Sequence, residues 1–337
     1  LRWRRAPARR RLAMPAVAAA AASAGAAEGV DALAGGRAEA RARQLAEQFR
    51  DPAEAVAHLL RSSAAIEAPL LPRPPLRRGA GGGANADGGA VGGGLGLDAA
   101  ALGAMADALA AAGWAAVGDV GLPACVLRGC HAEAAAARAG MRPGRIGRRF
   151  SGRESGGFAA VAEAEEDVAK RSDELVWLDD AGGVDTFDRA SPSKPRLSTS
   201  SCPNLARAQT SVRHVGFALA DRLSMQVDGF TDSMLARYAG DGAFYAPHVD
   251  ADAADARRLT LVLYLNPDWV EEHGGCLQIL DPTVFEWQRV PPMLGTLVAF
   301  SSAEILHQVK PSYAPRYALT VWMVCRDPHA LAWELCD

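Results

Sequence analysis

The sequence predicts a mainly β fold with supporting helices. Two observations carry that expectation. From Ser233 onward, apolar strands of period two follow one another at short intervals to about residue 325, as in a closed antiparallel core. Ahead of them, between residues 98 and 223, three segments carry apolar residues at helical spacing. A hydrophobic content of 49% supports a buried core of that kind, although much of it is Ala.

The elements follow in order. Residues 1–27 hold six Arg, many Ala and no acidic residue, a composition shared by organellar transit peptides and by disordered tails. Met14 is an alternative start. We read residues 1–35 as a disordered or targeting-like extension. Over 36–68, Leu45, Phe49, Val56, Leu59 and Leu60 fall at rough helical spacing broken by Pro52, which predicts two short helices. Residues 69–97 run from LLPRPPLRR into GAGGGANADGGAVGGGLG, a flexible linker by composition. No strand precedes its glycines, so a dinucleotide site is not expected there. The main folded domain is then placed at 98–330.

Within that domain, Asp98 caps a helix bearing Leu102, Met105 and Leu109 and ended by Gly113. A strand is expected over 114–120 and a second helix over 123–140. Residues 179–202, Ser- and Pro-rich, read as a mobile insertion. The third helix, about 203–223, puts Leu205, Ala208, Val212, Val215 and Leu219 on one stripe, a support for the sheet.

The chemistry lies in the strands. RYAGDGAFYAPHVD (237–250) has a tight-turn signal at Asp241 and Gly242, then a strand from Phe244. Residues two apart on a strand share a face, so His248 and Asp250 can meet one metal ion. His307 stands at a strand end in ILHQV, after the apolar strand GTLVAF. Alone, an H-x-D pair is a common accident and His307 an ordinary core or surface histidine. Together, two imidazoles and one carboxylate are the donor set that holds non-heme Fe(II) and leaves three positions open.

Strand parity sharpens the reading. In RYALTVWMV (316–324), Arg316, Ala318, Thr320 and Trp322 share one face, and Tyr317, Leu319, Val321 and Met323 the other. The second set is ordinary core. The first is a poor core and a good cavity wall: a fork-shaped cation able to grip a carboxylate, with small side chains leaving room beside it. By the same rule Thr260, Val262 and Tyr264 align opposite Leu259, Leu261, Leu263 and Leu265, and the Tyr264 hydroxyl can join Arg316 at that carboxylate.

These pieces resemble the 2-oxoglutarate- and Fe(II)-dependent prolyl 4-hydroxylases, most closely the hypoxia-inducible factor prolyl hydroxylase branch. The resemblance rests on MLARYAGDGAFYAPHVD, LYLNPDW, GGCLQI and HQVKPSYAPRYALTVW, with RSDELVW and GWAAVGDV upstream, and spans about residues 98–325. It implies a double-stranded β-helix of jelly-roll type with the preceding helices packed on the sheet. It implies that His248, Asp250 and His307 ligate Fe(II) and that Arg316 and Tyr264 bind the distal carboxylate of 2-oxoglutarate. Tyr238, Thr320 and Trp322 would line that pocket, and Asp173 and Arg257 would form a supporting ion pair. The implied reaction uses dioxygen to hydroxylate C4 of a proline exposed in a protein or peptide, with ascorbate as reductant. Arg316, where the collagen and cell-wall enzymes usually carry Lys, points to the intracellular sensor branch, hence to cytoplasm or nucleus and to a monomer.

Other properties bound this picture. A net charge of -3 gives no attraction to nucleic acid or to membrane surfaces, and the Ala run near residue 20 is too weakly apolar to span a bilayer. The six Cys form no C-x-x-C pair, so reduced thiols are expected rather than disulfides or a zinc site. Two alternatives stay open: a hydroxylase of the same fold acting on another side chain or on a cell-wall protein, and a non-catalytic interaction protein.

Overall fold

The computed structural model describes residues 65–67, 97–144, 170–179, 195–251 and 256–325. The expectations for residues 1–64, 68–96 and 180–194 lie outside the described residues. Two compact units are distinguished, Glu67–Ile279 with Arg289–Asp337, and Leu1–Ile66 with Leu280–Gln288. Ala65–Glu67 is a strand, where a helical segment was expected to run to 68.

The larger unit is built on three helices, α1 (Ala99–Ala112), α2 (Ala124–Ala136) and α3 (Pro203–Arg222). Its principal strands are β1 (Trp114–Val117), β2 (Glu174–Asp179), β3 (Ser233–Tyr238), β4 (Ala243–His248) and β5 (Arg257–Tyr264). They continue with β6 (Leu277–Asp281), β7 (Leu297–Ser301), β8 (His307–Ser312) and β9 (Arg316–Val324). The large sheet runs β1-β7-β5-β9-β3-β2, and a smaller one runs β6-β8-β4. This is the expected double-stranded β-helix, with helices before it.

Local chemistry explains the ends of these elements. Asp98 accepts a 2.8 Å hydrogen bond from the Ala101 N–H at the start of α1, and Gly113, at φ 77°, closes its end in the left-handed region. β1 stops at Val117, three residues short of expectation. The second helix leaves α geometry at Ala136 and finishes as a 3-10 turn over Ala137–Gly140. The expected mobile insertion is ordered at its far end. Arg196–Ser198 pairs in parallel with β2, and Arg196 bridges Asp179 at 2.8 Å and Asp232 at 3.1 Å.

One core lies on the helix side of the large sheet and a second between the sheets. Leu205, Ala208, Val212, Val215 and Leu219 of α3 are all buried, as their stripe predicts. They meet Leu259, Leu261, Leu263, Leu319, Val321 and Met323 of β5 and β9. A Cβ on Gly216 would come within 2.6 Å of Met323 Sδ, so a larger residue there would have to displace that side chain. The second core joins Val262, Tyr264 and Ala318 to Leu277, Ile279 and Val309 of the small sheet. The candidate site opens within this second layer.

Candidate active site

His248 ends β4 and His307 begins β8, and the two residues are register partners across the antiparallel pair. Register alone therefore sets their imidazoles side by side, with ring centroids 4.2 Å apart. Asp250 follows two residues after His248. Its Oδ1 lies 3.6 Å from His248 Nε2 and 3.7 Å from His307 Nε2, and one donor atom from each residue falls within 4.8 Å of the others. His248 Nδ1 lies 2.8 Å from the Ala246 carbonyl and His307 Nδ1 3.0 Å from the Ile305 carbonyl. A carbonyl only accepts, so each Nδ1 carries the proton and each Nε2 keeps its lone pair toward the common point.

The carboxylate is held from its other side. Asp250 Oδ2 accepts from Thr260 Oγ1 at 2.8 Å and from Trp322 Nε1 at 3.0 Å. Burial counts against an ionised Asp250. The neighbouring imidazoles of His307 and His248, with the Arg257 guanidinium, outweigh it and hold the carboxyl well below the usual carboxylate range. Burial, and after it the charge of His248, pushes His307 down to about 4. At neutral pH Asp250 is thus an anion and His307 a neutral imidazole, the states in which each can donate to a cation.

The same cavity extends over Arg316, Ala318, Thr320, Trp322, Tyr264 and Tyr238 and encloses about 480 Å³, its open mouth included. Arg316 is 4% exposed, with its guanidinium 4.6 Å from the Tyr238 ring centre and 4.9 Å from that of Tyr264. Its Nε and the Tyr264 hydroxyl are buried and meet no hydrogen-bond partner among the described residues. Burial, moderated by Arg316, pushes the Tyr264 phenol up to about 12, so it stays a donor. Two buried donors, one cationic, without an acceptor are costly unless a ligand supplies one. A carboxylate does so with two oxygens. The donor set fits a divalent metal, and this end of the cavity fits a small dicarboxylate.

The turn before β6 makes this end possible. Gly275 has φ 70°, and a Cβ there would come 2.7 Å from Ser312 Oγ and 2.9 Å from Arg316 Cδ. The pair of glycines in GGCLQI therefore lets the chain pass against the Arg316 stem.

All eight expected site residues line this one cavity or its metal-donor corner. The expected ion pair is corrected. Asp173 is gripped by Arg171, with Nε to Oδ1 at 2.7 Å and Nη2 to Oδ2 at 2.6 Å, while Arg257 lies 5.5 Å over the Trp322 ring. Arg171 is two residues from Asp173 in an extended segment, so the shorter reach wins. Arg171 also sits 4.4 Å over Tyr245, whose ring stacks on His248 at 3.6 Å. Sequence reasoning passed over Thr260, Arg171 and Tyr245. Parity had already put Thr260 on the cavity face, and it was the one signal available.

Residues 233–324 match the model of the 2OG-Fe(II) oxygenase superfamily. That stretch contains His248, Asp250 and His307, which could hold a metal ion, together with Arg316 and Tyr264, and the superfamily it matches uses Fe(II) and 2-oxoglutarate. Human Egl nine homolog 1 is 37% identical over 123 residues, 36% of this chain and 28% of that protein. Mouse prolyl hydroxylase EGLN3 is 41% identical over 102 residues, 30% of this chain and 43% of that protein. The chain thus spans less than half the length of these curated relatives. Among solved structures, a Pseudomonas putida prolyl-4-hydroxylase matches with a TM-score of 0.50 and 26% identity, covering 67% of this chain and 99% of that one. A Trichoplax adhaerens prolyl hydroxylase, in complex with a hypoxia inducible factor peptide fragment, shares the fold with a TM-score of 0.53 at 23% identity, covering 68% and 91%.

Proposed function

We propose that this chain is an Fe(II)- and 2-oxoglutarate-dependent dioxygenase that hydroxylates a peptidyl proline at C4, in an oxygen-sensing or protein-modifying role. The observation that carries the reading is the pairing, in one cavity, of a His248–Asp250–His307 donor set with the unpartnered Arg316 Nε and Tyr264 hydroxyl. Proline as the substrate is supported by the names of several similar proteins, which are prolyl hydroxylases, one of them a hypoxia-inducible factor prolyl hydroxylase of Caenorhabditis elegans.

When bound, iron with 2-oxoglutarate and dioxygen supplies the oxidant, and 2-oxoglutarate leaves as succinate and carbon dioxide. The chain's own residues supply geometry. His248, Asp250 and His307 would hold the metal. Arg316 and Tyr264 anchor the distal carboxylate of 2-oxoglutarate, while Thr320 adds a hydroxyl to the wall and Tyr238 backs the guanidinium. Val262, Ala318 and Leu277 keep that end dry, which strengthens the ionic bond and protects the oxidant from water. The substrate is a proline in an exposed peptide segment reaching the mouth of the cavity. Ascorbate is the reductant that maintains Fe(II), and the setting is cytoplasm or nucleus.

The test is succinate formation from 2-oxoglutarate with and without a proline-containing peptide, followed by the mass of the peptide. The expected result is peptide-dependent succinate, with one oxygen gained per succinate and located on proline. Oxygen gained on another side chain would assign the fold to a different substrate. No succinate from iron-loaded protein under any condition would favour a binding role.

A further inference from the structure

We infer that Ser302 and Thr260 form a hydroxyl relay which, with the Trp322 indole, occupies Oδ2 of Asp250 and so presents only Oδ1 to the metal, keeping one coordination position free. This rests on the metal-site reading above. Thr260 and Trp322 are register partners on β5 and β9, so the sheet itself aims both donors at one carboxylate oxygen. Both are buried, as is Ser302, which is fully so. Ser302 Oγ lies 2.9 Å from Thr260 Oγ1.

The direction of the relay follows from the acceptor. An ionised carboxylate only accepts, so Thr260 spends its single proton on Asp250 Oδ2 and must receive from Ser302 at its own oxygen. Each bond in such a chain polarises the next and strengthens it. Ser302 is itself fixed, since its N–H donates to the Arg258 carbonyl at 3.1 Å and its carbonyl accepts from the Ala251 N–H at 2.9 Å. The second of these bonds also pins the backbone beside Asp250. With Oδ2 saturated by an O–H and an N–H, chelation through both oxygens would have to break two buried hydrogen bonds. One-oxygen ligation leaves three metal positions, enough for a bidentate 2-oxo acid and dioxygen; two-oxygen ligation would leave two.

The experiment titrates metal-free protein with Co(II), whose visible d–d bands report coordination number, with and without 2-oxoglutarate and with no turnover required. Thr260→Val removes the proton at nearly constant shape and is expected to weaken Co(II) binding by about 10–100-fold and to change the d–d spectrum. Ser302→Ala is expected to move both readouts the same way by less, and Thr260→Ser to restore them. Parent affinity and spectrum in Thr260→Val, with Asp250→Ala losing the metal, would overturn the relay and leave the metal site standing. Parent binding in Asp250→Ala would remove the metal site itself, and the relay with it. Should Thr260→Val not fold, Ser302→Ala decides: a weakened, spectrally altered complex supports the relay, and parent values overturn it.

Discussion

The two faces of β9 differ in almost everything except backbone. Tyr317, Leu319, Val321 and Met323 are buried against the helices, each in ordinary apolar contact. Arg316, Thr320 and Trp322 are buried just as deeply on the opposite face, but as polar groups lining a cavity. The same contrast holds on β5, with three leucines on the helix side against Thr260, Val262 and Tyr264. A face built for stability satisfies itself. The other face satisfies what can be met internally, as at Asp250, and leaves the Arg316 Nε and Tyr264 hydroxyl for a ligand.

Substitutions on each face should therefore separate function from stability. The largest expected effect is on the inner side: Asp250→Ala leaves two imidazoles, and bound Fe(II) should fall from one per chain to background, with peptide-dependent succinate abolished and the circular dichroism spectrum unchanged. Iron retained at parent stoichiometry would break the comparison. On the outer side, Leu319→Ala should cost about 2–5 kcal/mol of stability in urea unfolding through the cavity it opens. The folded fraction should keep the parent requirement for 2-oxoglutarate. A smaller effect of the same kind is expected at the helices, where Glu133 on α2 accepts from the N–H groups of Asn204 at 3.1 Å and Leu205 at 2.8 Å. It caps α3 in place of a side chain at its own N-cap. Glu133→Ala should cost about 1 kcal/mol in the same unfolding assay and leave iron content unchanged.

What the sequence made legible was whatever depends on period. Alternation on β5 and β9 separated cavity from core residue by residue, and the stripe of α3 named its buried side. The candidate donors His248, Asp250 and His307 were legible as a group because two of them share a strand face and the third marks a strand end. What escaped depends on register between elements far apart in the chain. Trp322 and Asp250, 72 residues apart, meet only because β9 and β5 pair with Trp322 opposite Thr260. Glu133 caps a helix that begins some seventy residues later, which no local signal announces. Arg171 displaced Arg257 as the partner of Asp173 because an extended backbone carries two side chains two residues apart to one face. The glycines of GGCLQI were visible as a motif, but their reason, room for the Arg316 stem, needed the fold.

The account turns on Arg316, the buried cation whose Nε has no acceptor among the described residues. The direct measurement is the 2-oxoglutarate concentration giving half-maximal succinate formation in Arg316→Ala and Arg316→Lys, alongside Fe(II) content. Leaving a buried carboxylate unpaired should cost about 2–5 kcal/mol, which raises that concentration by roughly 30-fold to several thousand-fold in Arg316→Ala. Arg316→Lys should fall between, keeping charge and losing the fork, and iron content should stay at the parent level in both. A near-parent 2-oxoglutarate requirement in Arg316→Ala would contradict the account, because some other cation, or some other co-substrate, would then be serving this cavity.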